Sequence, residues 1–250
     1  MAMLSLSGFA QSDDRDKSVD RVHSAGTVLD EIMAAPDSGI PNNVIESTKC
    51  IAIVPSMLKG AFVLGAERGK GVASCRTDKG WSAPAFFVVE GGSVGFQIGA
   101  QAVDVVMLVM NDGGMRNLLS SKFKLGANAS VAAGPVGRHA EGDTDWKMRA
   151  QVLTYSRARG VFAGLSLNGA SIRQDQDSTR AFYGHMVPYR SLLMGITPVP
   201  ADAQPFTSAL GKYAGGAKAA TAPMTSEKPA SDATTTKPAP GTPPEKPPKR

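Results

Sequence analysis

Histidine and cysteine are scarce: three and two residues, respectively, in a chain of 250. No HExxH and no Cys/His zinc spacing can be formed from them. Long apolar runs are missing too, since no stretch reaches the ~18 residues that a membrane-spanning helix needs. Strong charge of one sign is also absent. The formal net charge is +5, and the last 36 residues, with six basic against three acidic, hold +3 of it. The rest of the chain is near +2, which excludes the dense basic footprint of a nucleic-acid binder. Aromatics make up only 6%, and from Gly215 onward there are none. That terminal segment, residues 215–250, has eight of the seventeen prolines and one methionine as its only large apolar residue. Such a composition cannot bury enough surface to offset chain entropy, so it predicts a disordered Pro/Lys/Thr-rich tail, open to a protein partner.

The amino terminus is apolar for ten residues and then polar. Gly8-Phe9-Ala10 resembles a small-x-small cleavage site, although no positive region precedes it. Residues 1–11 read as an export-signal remnant, which places the protein in the periplasm or envelope; the alternative is a frayed, cytoplasmic terminus.

What is present is ordinary globular material, 42% hydrophobic and 20% charged. Ser12 to Ala35 has Val19, Val22, Val28, Leu29, Ile32 and Met33 at helical spacing, with Asp13, Asp14 and Asp16 at its start and Pro36 to stop it. Pro41 suits the first position of a short second helix. From Lys49 the pattern turns to strands: "CIAIVP", "AFVLGAE", "GVASCR" and "SAPAFFVVE" are separated by Gly-, Lys- and Asp-containing segments. Asn111 to Lys122 predicts a helix capped by Asn111 or Asp112. "WKMRAQVLTYS" and "GVFAGLSLNGASI" predict a hairpin turned at Arg157–Gly160. The expected fold is α+β: one domain over residues 12–214, an antiparallel Gly-rich sheet, sandwich or barrel-like, with an amino-terminal helix and short helices packed on it. A meander of 50–54, 61–66 and 71–76, turning at Glu67–Lys70, would pair Cys75 with about Phe62. That register keeps Cys50 beyond the ~7 Å limit for bridging and predicts two separate buried thiols.

Three motifs invite chemistry. Gly69-Lys70 follows Gly65 one residue too soon for a phosphate loop, and Gly71 stands where the magnesium-binding hydroxyl is needed. Gly91-Gly92-Ser93-Val94-Gly95 matches a nucleophile elbow, with Asp104 or Asp112 and His139 or His185 in workable chain order. The alternating "FQIGAQA" that follows is not the helix an elbow requires, so a hydrolase at Ser93 ranks third and a Gly-rich hairpin turn is the expectation. His139, Glu141, Asp143 and Asp145 lack an EF-hand frame and read as a polar loop. No catalytic residue, metal site or cofactor is expected. The basic residues Lys59, Arg68, Lys70, Arg76 and Lys79 are expected at or near turns of the first sheet region, with Arg138 after Gly134-Pro135-Val136-Gly137. Gly-rich turns expose backbone N–H groups to an anion, and arginine adds a bidentate fork for phosphate.

Five blocks in order, "GKGVASCRTDKGWSAPAFF", "GFQIGAQ", "SVAAGPVGRHAE", "YSRARGVFAGLSLNG" and "FYG", resemble the SYLF domain family over about Val19–Gly184. Members of that family occur beside SH3 domains in yeast and animal endocytic proteins, in plant FYVE proteins and in bacterial exported proteins. The resemblance implies a non-enzymatic module that binds phosphoinositide membranes, with an amphipathic amino-terminal helix taking part, and actin binding in a yeast relative. It also makes the first block sheet core rather than a nucleotide loop. Because the helix here begins Asp13-Asp14-Arg15-Asp16, the expected contact with anionic lipid runs through the basic sheet turns instead.

Overall fold

The computed structural model describes residues 7–35, 39–61, 64–94, 99–120, 122–136, 150–158, 161–164 and 167–215. Two units divide the chain, Met1–Ala219 and Ala220–Arg250, and all that follows concerns the first. A long helix, α1 (Ser7–Met33), and a short one, α2 (Asn42–Glu46), precede the sheet. Pro41 caps α2 from the position before its first residue rather than occupying the first position. The strands are β1 (Cys50–Ala61), β2 (Leu64–Thr77), β3 (Gly80–Trp81), β4 (Ala85–Val94), β5 (Gly99–Val109), β6 (Lys122–Lys124), β7 (Val131–Ala133), β8 (Val152–Ala158), β9 (Val161–Gly164) and β10 (Ser171–Gln174). Helices α3 (Asp112–Leu118), α4 (Gln176–Tyr183), α5 (Tyr189–Leu193) and α6 (Gln204–Ala214) complete the fold.

The sheet order is β6-β10-β4-β2-β1-β5-β8-β7, with β3 on β2 and β9 on β8. Every pairing is antiparallel except β7 with β8, and the sheet curls into a half-barrel. Its middle is covered on both faces, which is why Cys50–Val54 and Val105–Val109 are apolar without alternation. One face, here the α1 face, carries Ile51, Ile53, Val72, Phe86, Val106, Leu108 and Tyr155 under α1 and α6. The opposite face carries Cys50, Ala52, Val54, Ala73, Phe87, Val105 and Met107 under Leu118 of α3 and Leu192 and Leu193 of α5. The predicted apolar stripe of α1 goes into this packing: Val22, Ala25, Val28, Leu29 and Ile32 are buried, and Val19 and Met33 pack against them partly buried.

Two sequence expectations fail together in the β1–β2 hairpin. Glu67–Lys70 is not a turn, because β1 runs on to Ala61 and β2 starts at Leu64, with Glu67–Lys70 inside the strand. Gly69 and Gly71 are there for room. A Cβ at Gly69 would meet Val54 Cγ1 at 2.4 Å, and one at Gly71 would meet the Phe87 ring at 2.5 Å. The longer hairpin then sets Cys50 directly opposite Cys75. Arg76 N–H donates to the Lys49 carbonyl, which makes Lys49–Arg76 the hydrogen-bonded pair and Cys50–Cys75 the close, non-hydrogen-bonded one. The two sulfurs form a disulfide with Cα atoms 3.9 Å apart, in place of the two thiols expected. Closing a loop of this length contributes on the order of 3 kcal/mol on the chain-entropy model.

β1 is interrupted once. Its register shifts between Val54 and Met57 against both neighbours, and Ser56 takes a left-handed φ of 53°. This bulge is pinned by the Ser56 N–H, which donates to Asp104 Oδ1 at 2.9 Å. Arg157 holds Asp104 at 2.8 Å and also pairs with Glu31 of α1. Past the bulge, β1, β2, β4 and β5 continue as a four-stranded extension. The Gly91–Gly95 segment, expected as a turn, is strand through Val94. The expected helix after Asn111 is α3, and Asn111 Oδ1 accepts from Gly114 N–H at 3.0 Å.

Candidate anion-binding surface

Strand parity decides what the six expected cations can do. Arg68 and Lys70 lie on the α1 face of β2, not at turns. Lys59, moved by the bulge, lies on the opposite face beside its cross-strand partner Glu67, with Nζ 3.5 Å from Oε2. Arg76 is about 20 Å along β2 from Lys70 and has structural work there. Its guanidinium donates to the carbonyls of Glu46 and Thr48 after α2 and of Ala214 and Gly215 at the end of α6, and it stacks 4.9 Å from the Trp81 ring. Desolvation by burial, only partly offset by Glu46, lowers its pKa. Lys79 occupies the exposed Thr77–Gly80 turn. Arg138 lies outside the described residues, as does the polar loop His139–Asp145. Ser93 sits inside β4 opposite Gly65, and the next described element is the strand β5 rather than the helix a nucleophile elbow requires.

Cations that the sequence reading did not single out join Arg68 and Lys70. β4 pairs with β10 and β10 with β6, so one row across the α1 face reads Leu58, Arg68, Glu90, Ser171, Lys124. The neighbouring row reads Lys70, Val88, Arg173, Lys122. Glu90 is shared between Arg173 at 3.2 Å and Arg68 at 3.5 Å. The hydrogen bond from Arg173, with the charges of Arg173, Arg68 and Lys122 behind it, holds the Glu90 carboxyl below its usual range. Lys122 and Lys124 are exposed and form no ion pair among the described residues. The Ser171 hydroxyl between Glu90 and Lys124 has no hydrogen-bond partner among them either.

The inner end of the ladder is anchored. Asp175, buried at the amino-terminal cap of α4, accepts from Ser178 N–H at 3.1 Å and Ser178 Oγ at 2.8 Å, and pairs with Lys70 at 2.9 Å. Burial pushes its pKa up, but the bonds from Lys70 and Ser178 together outweigh this and leave it lowered. Arg21 of α1 donates to the same Ser178 Oγ at 3.0 Å, which ties the helix to this corner. The strip therefore holds Arg68, Lys70, Arg173, Lys122 and Lys124 against Glu90 and Asp175, and it is open to solvent on one face. The alternation in Lys122-Phe123-Lys124 was the available signal, putting two lysines on one side of a strand. The partner of that strand was not readable.

The chain matches the profile of the family described as "Ysc84: Las17-binding protein actin regulator" over residues 90–213. It is 35% identical over 180 residues to human SH3 domain-containing YSC84-like protein 1, covering 71% of this chain and 52% of that protein. The protein of the same name from Xenopus laevis is 36% identical over 151 residues, covering 60% of this chain and 45% of its own. Protein YSC84 of Saccharomyces cerevisiae is 33% identical over 173 residues, covering 68% and 37%. The chain thus spans about half the length of the curated relatives it matches, or less. With the profile match over residues 90–213 and relatives of this similarity, the chain belongs to the Ysc84 family of SYLF domains.

Proposed function

We propose that the protein is a non-enzymatic module that binds anionic phospholipid surfaces through the basic ladder on the α1 face of the sheet. The observation that carries this reading is the set of five cations brought onto one solvent-facing strip by β2, β10 and β6, with Glu90 and Asp175 paired to them and Asp177 near Arg173 among the described residues. Arg68 and Lys70 are the members expected from sequence, Lys79 is an accessory cation at the sheet end, and Lys59 and Arg76 serve the fold. α1 is not the membrane element in this reading. Its apolar stripe is largely buried, and Asp13, Asp14 and Asp16, expected at its start, lie exposed in its second and third turns, because the helix begins at Ser7.

Each basic residue near an anionic membrane contributes on the order of 1 kcal/mol, so Arg68→Ala/Lys122→Ala/Arg173→Ala should bind at least tenfold more weakly. Flotation with phosphatidylcholine vesicles, with and without phosphatidylserine or a phosphoinositide, measures it. Glu90→Gln should move affinity the other way, and both effects should shrink as salt rises. A folded triple variant that floats like the wild type refutes the reading.

The family description favours one second reading, an acidic protein surface such as actin on the same ladder. Ladder-dependent cosedimentation with actin filaments, in the absence of flotation, would select it. We further propose an exported, envelope location, supported by the buried disulfide, since such bonds persist in oxidising compartments. Intact mass of the protein recovered from its native cells tests this: a reduced chain retaining residues 1–10 would contradict it.

A further inference from the structure

The bulge at Ser56 re-aims side chains. Before it, Ile51 and Ile53 point to the α1 face; after it, Leu58 does, while Met57 joins Val54 on the buried opposite face. Without the inserted residue, Leu58 would face the interior and Lys59 the α1 face. The fold instead leaves Leu58 64% exposed and gives Lys59 a half-buried place with Glu67. A non-glycine residue held at positive φ costs of order 1 kcal/mol and persists only where its surroundings enforce it. Asp104 and Arg157 do so here. Bulges that redirect a side chain outward recur beside functional surfaces.

The exposed leucine is not isolated. Its cross-strand neighbours are Arg68 on one side and exposed Ala102 on the other. The next row toward the tip reads Gly92, Ala66, Gly60, all exposed and without charge. The α1 face of the extension is therefore a smooth apolar platform continuous with the basic ladder. We infer that this platform, led by Leu58, enters the headgroup layer of the anionic bilayer that the ladder binds. The inference rests on the anionic-surface reading. Lipid is chosen over a protein partner because Arg68 borders Leu58 directly, the one acid along that row, Glu90, is paired with Arg68 and Arg173, and Gly60, Ala66, Gly92 and Ala102 are too small to build a pocket.

The test uses the full chain and vesicles of phosphatidylcholine and phosphatidylserine. Leu58→Ser should weaken binding about tenfold, the order expected for withdrawing one leucine from an apolar environment. It should leave the slope of affinity against salt unchanged, whereas the Arg68/Lys122/Arg173 triple variant flattens that slope. Leu58→Trp should give blue-shifted fluorescence above the wild-type Trp signal, quenched when the lipids carry brominated acyl chains. If Leu58→Ser binds like the wild type while the triple variant is weakened, insertion is overturned and the electrostatic reading stands. If wild type does not float, both fall. If Leu58→Trp self-associates in sedimentation and its emission is insensitive to brominated lipid, the platform is an interface between copies and the inference is wrong.

Discussion

The sheet has two regions that share strands and differ in what covers them. Up to Val54, β1 is sealed between α1 and α6 on one side and α3 and α5 on the other, so every side chain from Cys50 to Val54 is buried. Beyond the Ser56 bulge the same strand, with β2, β4 and β5, carries a face of glycine, alanine, one leucine and a bordering row of charges. The covered region spends its apolar residues on stability. The extension presents one to solvent at the cost of a strained residue and a half-buried lysine. Just past the bulge, Met57 points to the covered opposite face and Leu58 to the open one, so stability and surface chemistry can be probed one residue apart.

The sharpest way to break the comparison is to truncate both. Met57 is fully buried, so Met57→Ala should cost about 2–5 kcal/mol through lost transfer energy and a cavity. Leu58→Ala should stay within about 0.5 kcal/mol, as exposed substitutions do. Denaturant melts of the two variants suffice, and equal losses would mean that the extension is as well covered as the interior.

A smaller effect is expected at the border, where Asp175 joins the ladder to α4 and, through Ser178, to α1. Asp175→Ala removes a helix cap and leaves Lys70 near Arg21 without its counter-charge, which should cost about 2 kcal/mol. The folded-state pKa of Asp175 is depressed, so its stabilisation is complete at pH well above the ordinary carboxylate value of 3.8 and is lost as pH falls below that value. Wild type and variant should therefore converge in stability on acidification. A gap between them that stayed constant down to pH 2 would contradict the assignment.

The smallest effect is expected at the bulge itself. Ser56→Gly relieves the left-handed strain but adds chain entropy in the unfolded state, and these nearly cancel, for a net change of no more than about 0.5 kcal/mol. Vesicle binding should survive. A loss above 1 kcal/mol would show that the serine side chain, rather than the backbone bulge, holds the extension in place.

How much of this was legible depends on sequence distance. The α1 stripe and the Asn111 cap are local patterns and lie where periodicity and capping chemistry put them; the β8–β9 hairpin forms, but Arg157 and Ala158, expected in its turn, end β8 instead. Gly69 and Gly71 misled because a glycine that admits Phe87 and one that turns a chain look alike in one dimension. That error moved the hairpin turn, and with it went the Cys50–Cys75 pairing and the placement of Lys59, Arg68 and Lys70. The ladder was half visible: Arg68 and Lys70 were named, but Lys122, Lys124 and Arg173 come from strands about fifty or more residues from β2.

By itself the amino-acid sequence determined the class of the fold, the family blocks, the apolar face of α1 and the near-neutral charge of the domain. The family blocks are a resemblance in order and spacing; the others follow from composition or from a period of two or 3.6 residues, which neighbours along the chain suffice to set. Tertiary structure alone decided the register. A one-residue bulge reverses every side chain beyond it, and only packing against β2 and β5, with Asp104 holding Ser56, selects where that residue is inserted. The exposed leucine depends on that choice, the disulfide on the β1–β2 register, and the basic ladder on the pairings of β2, β4, β10 and β6.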